Sequence, residues 1–494
     1  MYRIQNRFSL DTYKYKYILY DAMNIKGRCV VLLVIVSFWV LVQCNTAKEP
    51  ERPNILFIMV DDLAPELGAY DKDYMHTPHI DKLAAEGVTF NNAFSQSPVC
   101  MASRVSFFTG LRVHEFNRRT TELDRSFTTM PDFFKQAGYH AISLGKVFHN
   151  IDDRKDDWSE KPWRSKKIYH GEKDWAHYNT YNLWQDKNSQ KYINPESGRG
   201  PYFEAADVSD SAYEDGQLAQ KATEKLKILK NKEQPFFMAV GFWRPHLPFN
   251  APQKYWELYN REEIRIAENR FRPKELPTGV SSSKEITGYG RHEGFPNEEH
   301  FHRLTRHAYY ASVSFVDRQV GKVLQALEEL HLAENTIVVL LGDHGYHLGE
   351  HNFWGKHNLM RRSNHIPLVL RVPGYKSDTI SSIVELVDIY PTLADLAGLK
   401  QPRHLEGQSL KAFINQSEGQ INEWDNKAFS VWGNGKNVIT EQYSYTEWAG
   451  SDVNMLFDHR NDPEENKNVA EDPEYAEVVQ SLSNILRDEF DNLN

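Results

Sequence analysis

Asn54-Ile55-Leu56-Phe57-Ile58-Met59-Val60 runs straight into Asp61-Asp62. An apolar run with no polar alternation matches a strand buried on both faces, the kind found in largely parallel sheets. Three other stretches repeat the pattern. Ala141-Ile142-Ser143-Leu144 leads to Gly145-Lys146 and His149, and residues 235–240 lead to Trp243-Arg244-Pro245-His246. Residues 336–341 lead to Gly342-Asp343-His344-Gly345. Between these runs, Val313, Val316, Val320, Leu324 and Leu327 recur at three and four residues, which predicts a helix over 309–330 packing one face on the sheet. Residues 78–86 and 211–230 read as helices in the same way. Alternating strands and helices give an α/β fold. Ligands in such sheets bind beyond the carboxyl ends of the strands, which is where Asp61, Lys146, His246 and Asp343 fall.

The chain has 494 residues, 58 basic and 68 acidic, for a formal net charge of -10. With 40% hydrophobic and 26% charged residues the composition is globular, excluding wholesale disorder and a coiled-coil rod. The acidic balance argues against nucleic acid as a partner, because a footprint on phosphates needs clustered Lys and Arg. Three cysteines cannot form a disulfide framework here, and two of them flank an N-terminal apolar run, leaving Cys100 alone in the body of the protein. Residues 30–42 are apolar, follow Lys26 and Arg28, and are too short to span a bilayer, so residues 1–44 read as a signal peptide. Leu41-Val42-Gln43-Cys44 resembles a bacterial lipobox, with Gln43 departing from the usual small residue. The expectation is export to the periplasm or cell surface, with a lipid anchor at Cys44.

Two segments lack periodicity. Residues 152–203 carry Trp158, Trp163, Trp175, Tyr178, Tyr181, Trp184 and Tyr192. They read either as a surface insert held down by its aromatics or as a cleft wall that stacks on sugar rings. Residues 262–302 are charged and irregular and carry no assignable role. Residues 45–418 are expected to form one large domain and 419–494 a smaller α+β subdomain, with short strands near 428–432, 437–440 and 444–448 and a helix over 473–490.

Asp61-Asp62 and Asp343-His344 each end an expected strand. Adjacent carboxylates repel unless a cation lies between them, and oxygen-dominated ligation favours Ca²⁺ or Mg²⁺ over Zn²⁺. Cys100, in the run Cys100-Met101-Ala102-Ser103-Arg104, precedes an expected short helix, whose free N–H groups favour an anion. Arg104, one turn on, is permanently cationic and able to neutralise an oxyanionic group at position 100.

Cys100 to Arg104 resembles the type I sulfatase signature, Cys-x-Pro/Ala-Ser-Arg, with Ala102 in place of the commoner proline. Residues 54–63, Gly145-Lys146-Val147-Phe148-His149, Arg244-Pro245-His246-Leu247-Pro248-Phe249 and 342–350 are most similar to the iduronate-2-sulfatase group and its bacterial relatives. Leu456-Phe457-Asp458 to Asp462-Pro463-Glu464-Glu465-Asn466 resembles that family's C-terminal signature. The resemblance runs from about Arg52 to the C-terminus and implies an alkaline-phosphatase-like fold. It also implies that a formylglycine-generating enzyme oxidises Cys100 to formylglycine, whose hydrate is the nucleophile. Asp61, Asp62, Asp343 and His344, with modified Cys100, would bind one Ca²⁺. Arg104 and Lys146 would hold the hydrate ionised, with His149 as hydrogen-bond partner and proton carrier. His246 and Lys356 would contact the sulfate, one of them protonating the leaving sugar oxygen.

The implied reaction is hydrolysis of sulfate esters through a covalent sulfo-enzyme intermediate, on a uronic-acid-containing glycan such as ulvan or a glycosaminoglycan. Residues 112–123 and the insert after Asp152 differ from that group, and 437–445 lack an arginine-rich tract, so specificity is not carried over. A formylglycine phosphodiesterase or phosphonate hydrolase, and a silent surface glycan-binding protein with an unoxidised Cys100, are the alternative readings.

Overall fold

Seven strands make the central sheet. They are β1 (Asn54–Val60), β2 (Val88–Phe94), β3 (His140–Gly145), β4 (Phe236–Phe242), β5 (Thr336–Gly342), β6 (His365–Arg371) and β7 (Asp378–Glu385), ordered β7-β2-β6-β5-β1-β4-β3. Only β6 runs antiparallel to its neighbours, so the sheet is mostly parallel, as expected. A computed structural model describes residues 52–113, 127–149, 154–165, 184–291, 298–416, 418–450 and 453–491. The signal segment with Cys44, and Trp175, Tyr178 and Tyr181, lie outside those residues. No helix among the described residues is long and apolar enough to cross a membrane.

Every residue of β1 is buried, and its alternating side chains serve two cores. Leu56, Ile58 and Val60 pack with helices α1 (Pro78–Glu86), α4 (Glu214–Leu229) and α5 (Glu298–Glu329). Ile55, Phe57 and Met59 pack with α2 (Cys100–Thr109), α3 (Met130–Gln136) and α6 (Ile389–Leu396). This double coverage is why the strand reads as an unbroken apolar run. Each such side chain contributes about 1.5–3 kcal/mol by leaving water.

Helix α5 begins eleven residues before the expected 309. Its first turns carry His302, Thr305, Arg306 and His307, all buried, so hydropathy gave no periodic signal there. Polar partners replace apolar packing: Arg306 donates to Glu350 Oε1 at 2.6 Å and to the Leu348 carbonyl at 2.8 Å. The sequence reading also did not find β2, β6 and β7. Trp158 is a core residue 6.4 Å from the Phe237 ring, not part of a cleft wall, and the Trp163 carbonyl accepts the Gly145 N–H.

At the C-terminus, β8 (Ala428–Trp432), β9 (Gly435–Ile439), β10 (Tyr443–Trp448) and β11 (Met455–Asp458) form an antiparallel sheet in that order. Its apolar face packs on α7 (Ala476–Asp491) through Leu482, Leu486 and Phe490, and on Ala102 and Val113 of the main body. Ser430 Oγ donates to the Ser95 carbonyl at 2.7 Å, and the Val431 N–H donates to the Gln96 carbonyl at 2.9 Å. The small sheet therefore clamps the segment that enters α2.

Where β3 leaves the sheet, Gly145 (φ 79°) pairs with Gly241 of β4, and the Lys146 N–H donates to the Gly241 carbonyl at 2.8 Å. A Cβ on Gly241 would stand 1.9 Å from the Lys146 carbonyl oxygen. Gly241→Ala is therefore expected to push the Lys146 backbone away and to destabilise the fold by about 1–3 kcal/mol. Urea unfolding checks this, and an unchanged midpoint would contradict it.

His347 is fully buried against the rings of His351 and Phe353, and burial, then His351, pushes its pKa down from 6.5 to about 4. The unfolded chain takes up this proton first. The stability that the neutral imidazole contributes is thus present above pH 6.5 and lost as pH falls toward 4, by up to about 3 kcal/mol. His347→Asn should flatten the decline in urea midpoint between pH 7 and 4.5; an unchanged slope would refute the assignment.

Candidate active site

Strands β5, β1, β4 and β3 lie side by side and parallel, so their carboxyl ends share one edge. That edge presents, in order, Asp343 and His344, Asp61 and Asp62, His246, and Lys146. Strand β2 points the same way and leads through residues 95–99 to Cys100, the first residue of α2. All these side chains are buried.

Arg104 is the bracket. Its Nε donates to Asp343 Oδ2 and its Nη2 to Asp61 Oδ1, both at 2.9 Å. Its Nη1 donates to the Val147 carbonyl at 3.0 Å and to the Lys146 carbonyl. The guanidinium thus reaches the carboxylates and the exit of β3, and makes no hydrogen bond to the Cys100 sulfur in the structure. Asp62 adopts a left-handed conformation (φ 61°), which aspartate tolerates, and its N–H donates to Asp343 Oδ1 at 3.1 Å. Ser103 adds a hydrogen bond to the Asp343 carbonyl.

Around Cys100, Sγ lies 3.2 Å from His344 Nε2, 3.5 Å from Lys356 Nζ and 3.9 Å from Asp62 Oδ1. His344 Nδ1 faces the Gly345 carbonyl at 3.0 Å, which places a proton there and leaves the Nε2 lone pair toward the site. The Lys356 ammonium donates to Asp62 Oδ1, and that of Lys146 to Asp61 Oδ2. Lys146 Nζ also stands 4.9 Å over the Trp243 ring.

Burial alone would raise the Asp61 pKa, but Lys146, His246, Arg104 and Lys356 together hold it well below the usual carboxylate range. Burial, then the Asp61 charge, pushes the Cys100 thiol well up. Because the thiolate is the reactive form, an unmodified cysteine here is a weak nucleophile. His149 is pushed well down by burial and by Lys146, and His246 is pushed down by burial against the pull of Asp62.

The donor set fits a divalent cation. Ligand atoms of Asp61, Cys100, Asp343 and His344 lie within 4.8 Å of one another, as do those of Asp61, Asp62, Cys100 and His246. Asp62 Oδ2 is buried and has no hydrogen-bond partner among the described residues. A fully buried carboxylate oxygen without a donor is costly, and a cation satisfies it. Carboxylate oxygens with one imidazole suit a hard ion such as Ca²⁺.

The structure gathers Asp61, Asp62, Cys100, Arg104, Lys146, His246, Asp343, His344 and Lys356, with His149 near enough to feel the Lys146 charge, and adds a residue that the sequence did not mark: Glu285. Its Oε1 lies 3.3 Å from His246 Nε2 and its Oε2 3.5 Å from Lys356 Nζ. Lys356, then His246, overcome its burial and hold its carboxyl well below the usual range. It lies in an irregular segment with no periodicity, and no local signal marks it.

If the carboxylates hold a cation, removing it with a chelator should lower Tm by several degrees and adding Ca²⁺ should restore it; saturation at 100 times Kd contributes about 2.7 kcal/mol. Asp62→Asn should lose most of that Ca²⁺-dependent shift. An equal shift in the variant, read by differential scanning fluorimetry, would rule Asp62 out as a ligand.

A sequence model of the sulfatase family matches residues 53–399, and one described as the C-terminal region of N-sulphoglucosamine sulphohydrolase matches 349–492. The iduronate 2-sulfatase of Mus musculus is 32% identical over 538 aligned residues, covering 87% of this chain and 93% of that protein. A sulfatase of Formosa agariphila is 31% identical, covering 89% of this chain and 87% of that protein. Among solved structures, the phosphonate monoester hydrolase of Agrobacterium radiobacter superposes with a TM-score of 0.71 at 24% identity, over 89% of this chain and 96% of that one, a likeness of fold.

Proposed function

The chain belongs to the sulfatase family, as a type I member near the iduronate-2-sulfatase group, and from that premise we propose that it removes sulfate from a uronic-acid-containing glycan, ulvan or a glycosaminoglycan, outside the cytoplasm. It is a sulfuric ester hydrolase; the glycan, the modification of Cys100 and export with a lipid anchor at Cys44 are the proposed parts. The observation that carries the reading is Cys100 Sγ at the first residue of α2, within 3.5 Å of both His344 Nε2 and Lys356 Nζ and beside three buried aspartates.

Oxidised to formylglycine by a maturation enzyme, position 100 would supply a nucleophilic hydroxyl, and a second one for release of sulfate, where a thiol pushed upward supplies neither. A Ca²⁺ ion held by Asp61, Asp62, Asp343 and His344 together with residue 100 would supply Lewis acidity at that group.

The chain's own residues do the rest. Arg104 fixes Asp61 and Asp343 as ionised, oriented carboxylates. Lys146 and Lys356 bring two ammonium groups to the place where sulfate oxygens gather negative charge, and burial strengthens their pull because little water competes. His149, kept neutral by burial and Lys146, can accept a proton from the attacking group. His246 carries a proton at Nδ1, donated to the Leu247 carbonyl at 2.7 Å, and turns Nε2 toward the site. Both ring nitrogens face acceptors, the Leu247 carbonyl at Nδ1 and Glu285 Oε1 3.3 Å from Nε2, so the ring that delivers a proton from Nε2 to the leaving sugar oxygen is the imidazolium, which those acceptors favour and burial opposes.

Mass spectrometry of the Cys100 peptide from the native host should read an aldehyde; an intact thiol would favour a silent glycan-binding protein. Cys100→Ser should leave Tm near wild type and lower desulfation by about 1,000-fold or more. Retained activity would contradict the mechanism. Assaying oligosaccharides of ulvan, heparan and fucoidan beside a phosphonate monoester separates the substrate classes, and faster turnover of the phosphonate would overturn the glycan reading.

A further inference from the structure

Part of the irregular segment 262–302 is laced to the rim of the site. Ser282 Oγ accepts the Trp354 N–H at 2.8 Å, and Ser283 Oγ bonds His357 Nδ1 at 2.9 Å. The Glu285 N–H donates to Ser283 Oγ at 3.2 Å. A Cβ on Gly355 (φ 88°) would stand 2.9 Å from Ser283 Cβ, so the two segments touch without room for a side chain. These contacts fall on either side of Lys356 in sequence and fix the segment to the stretch that carries it. From that seam Glu285 turns inward, its side chain 16% exposed.

His246 and Lys356 reach the site from separate elements, one beyond β4 and the other just beyond the two-residue strand Trp354–Gly355. His246 is otherwise held through Nδ1 by its neighbour Leu247, a single bond that does not by itself fix the tilt of the ring. The Lys356 ammonium is otherwise drawn to Asp62 and Cys100. Glu285 is the carboxylate within ion-pair distance of both among the described residues.

We propose that Glu285 is a positioning residue, whose two carboxylate oxygens hold His246 Nε2 and the Lys356 ammonium at the separation that receives a sulfate ester. This rests on the reading above that those two side chains contact the substrate. Glu285 touches no reacting atom; it acts through the imidazole and the ammonium. Without it the imidazole loses the contact that fixes its tilt, and Lys356 settles further onto Asp62 and away from the sulfate.

Glu285→Gln keeps the shape and one acceptor oxygen but removes the charge. On a 2-O-sulfated uronic acid disaccharide, kcat should fall by about 10- to 100-fold, the usual cost of losing a carboxylate that orients a histidine, with KM changing less and Tm holding near wild type. On 4-nitrophenyl sulfate, whose leaving group departs without a proton, only the part that comes through Lys356 should remain, so the loss should be smaller than on the disaccharide. Glu285→Asp should recover part of the disaccharide activity, and Glu285→Gln added to His246→Gln should cost little more. Equal losses on both substrates with a lowered Tm would make Glu285 merely structural and overturn the proposal, as would wild-type kcat. If His246→Gln and Lys356→Ala both keep wild-type rates, the reading of those residues has failed and the proposal falls with it. A crystal structure of Glu285→Gln gives a readout that needs no turnover: the His246 ring and Lys356 Nζ should shift, and unchanged positions would refute the role.

Discussion

A single guanidinium, that of Arg104, lies between two carboxylates presented by neighbouring strands, with all three groups removed from water. Moving such charges into the interior costs several kcal/mol per ion unless each is paired and its hydrogen bonds are met. Arg104 meets them geometrically: Nε takes Asp343, Nη2 takes Asp61, and Nη1 takes the carbonyls that follow β3. A lysine could not span these positions, because its ammonium is a point charge rather than a planar fork. Lys146 on Asp61 and Lys356 on Asp62 are placed relative to that bracket, and so is Asp62 Oδ2, which has no hydrogen-bond partner among the described residues and invites a cation.

The bracket depends in turn on where α2 starts. Cys100 and Arg104 occupy successive turns of the same helix, so whatever fixes the helix fixes both. One side of α2 contributes Phe107 and Phe108 to the core under the sheet, and Ala102 packs into the C-terminal subdomain. That subdomain also hydrogen-bonds the Ser95 and Gln96 carbonyls just before the helix. The small sheet therefore holds the entry to α2 in place, in a position to limit play at residue 100, where about an ångström of misplacement can cost two orders of magnitude in rate.

Segments without periodicity proved to be of two kinds. Trp158 and Trp163 belong to the body of the fold, one in the core and one bridged to Leu144, so those aromatics are packing. The stretch ending in Glu285 packs Leu276 and Val280 against Phe353, Leu359 and Met360, and the hydroxyls of Ser282 and Ser283 fix its end, each making a bond that any polar surface could make. Its position is decided by Trp354 and His357, on either side of Lys356, and its consequence is a carboxylate between an imidazole and an ammonium.

Much of this was legible in the chain itself. The unbroken apolar runs of β1, β4 and β5 and the three-and-four spacing in α5 fixed an α/β sheet, because burial on two faces or on one leaves a periodic trace in hydrophobicity. The dyads Asp61-Asp62 and Asp343-His344 and the Cys100 to Arg104 run were visible because their chemistry is local to a few residues. Strands β2, β6 and β7, the buried polar start of α5, the partners of Arg104 and the place of Glu285 were not. Each is set by neighbours far away in sequence, with Arg104 reaching 239 residues to Asp343. Periodicity records which face of an element is buried, but not which charged group from elsewhere will meet it there, and only the folded sheet decides that.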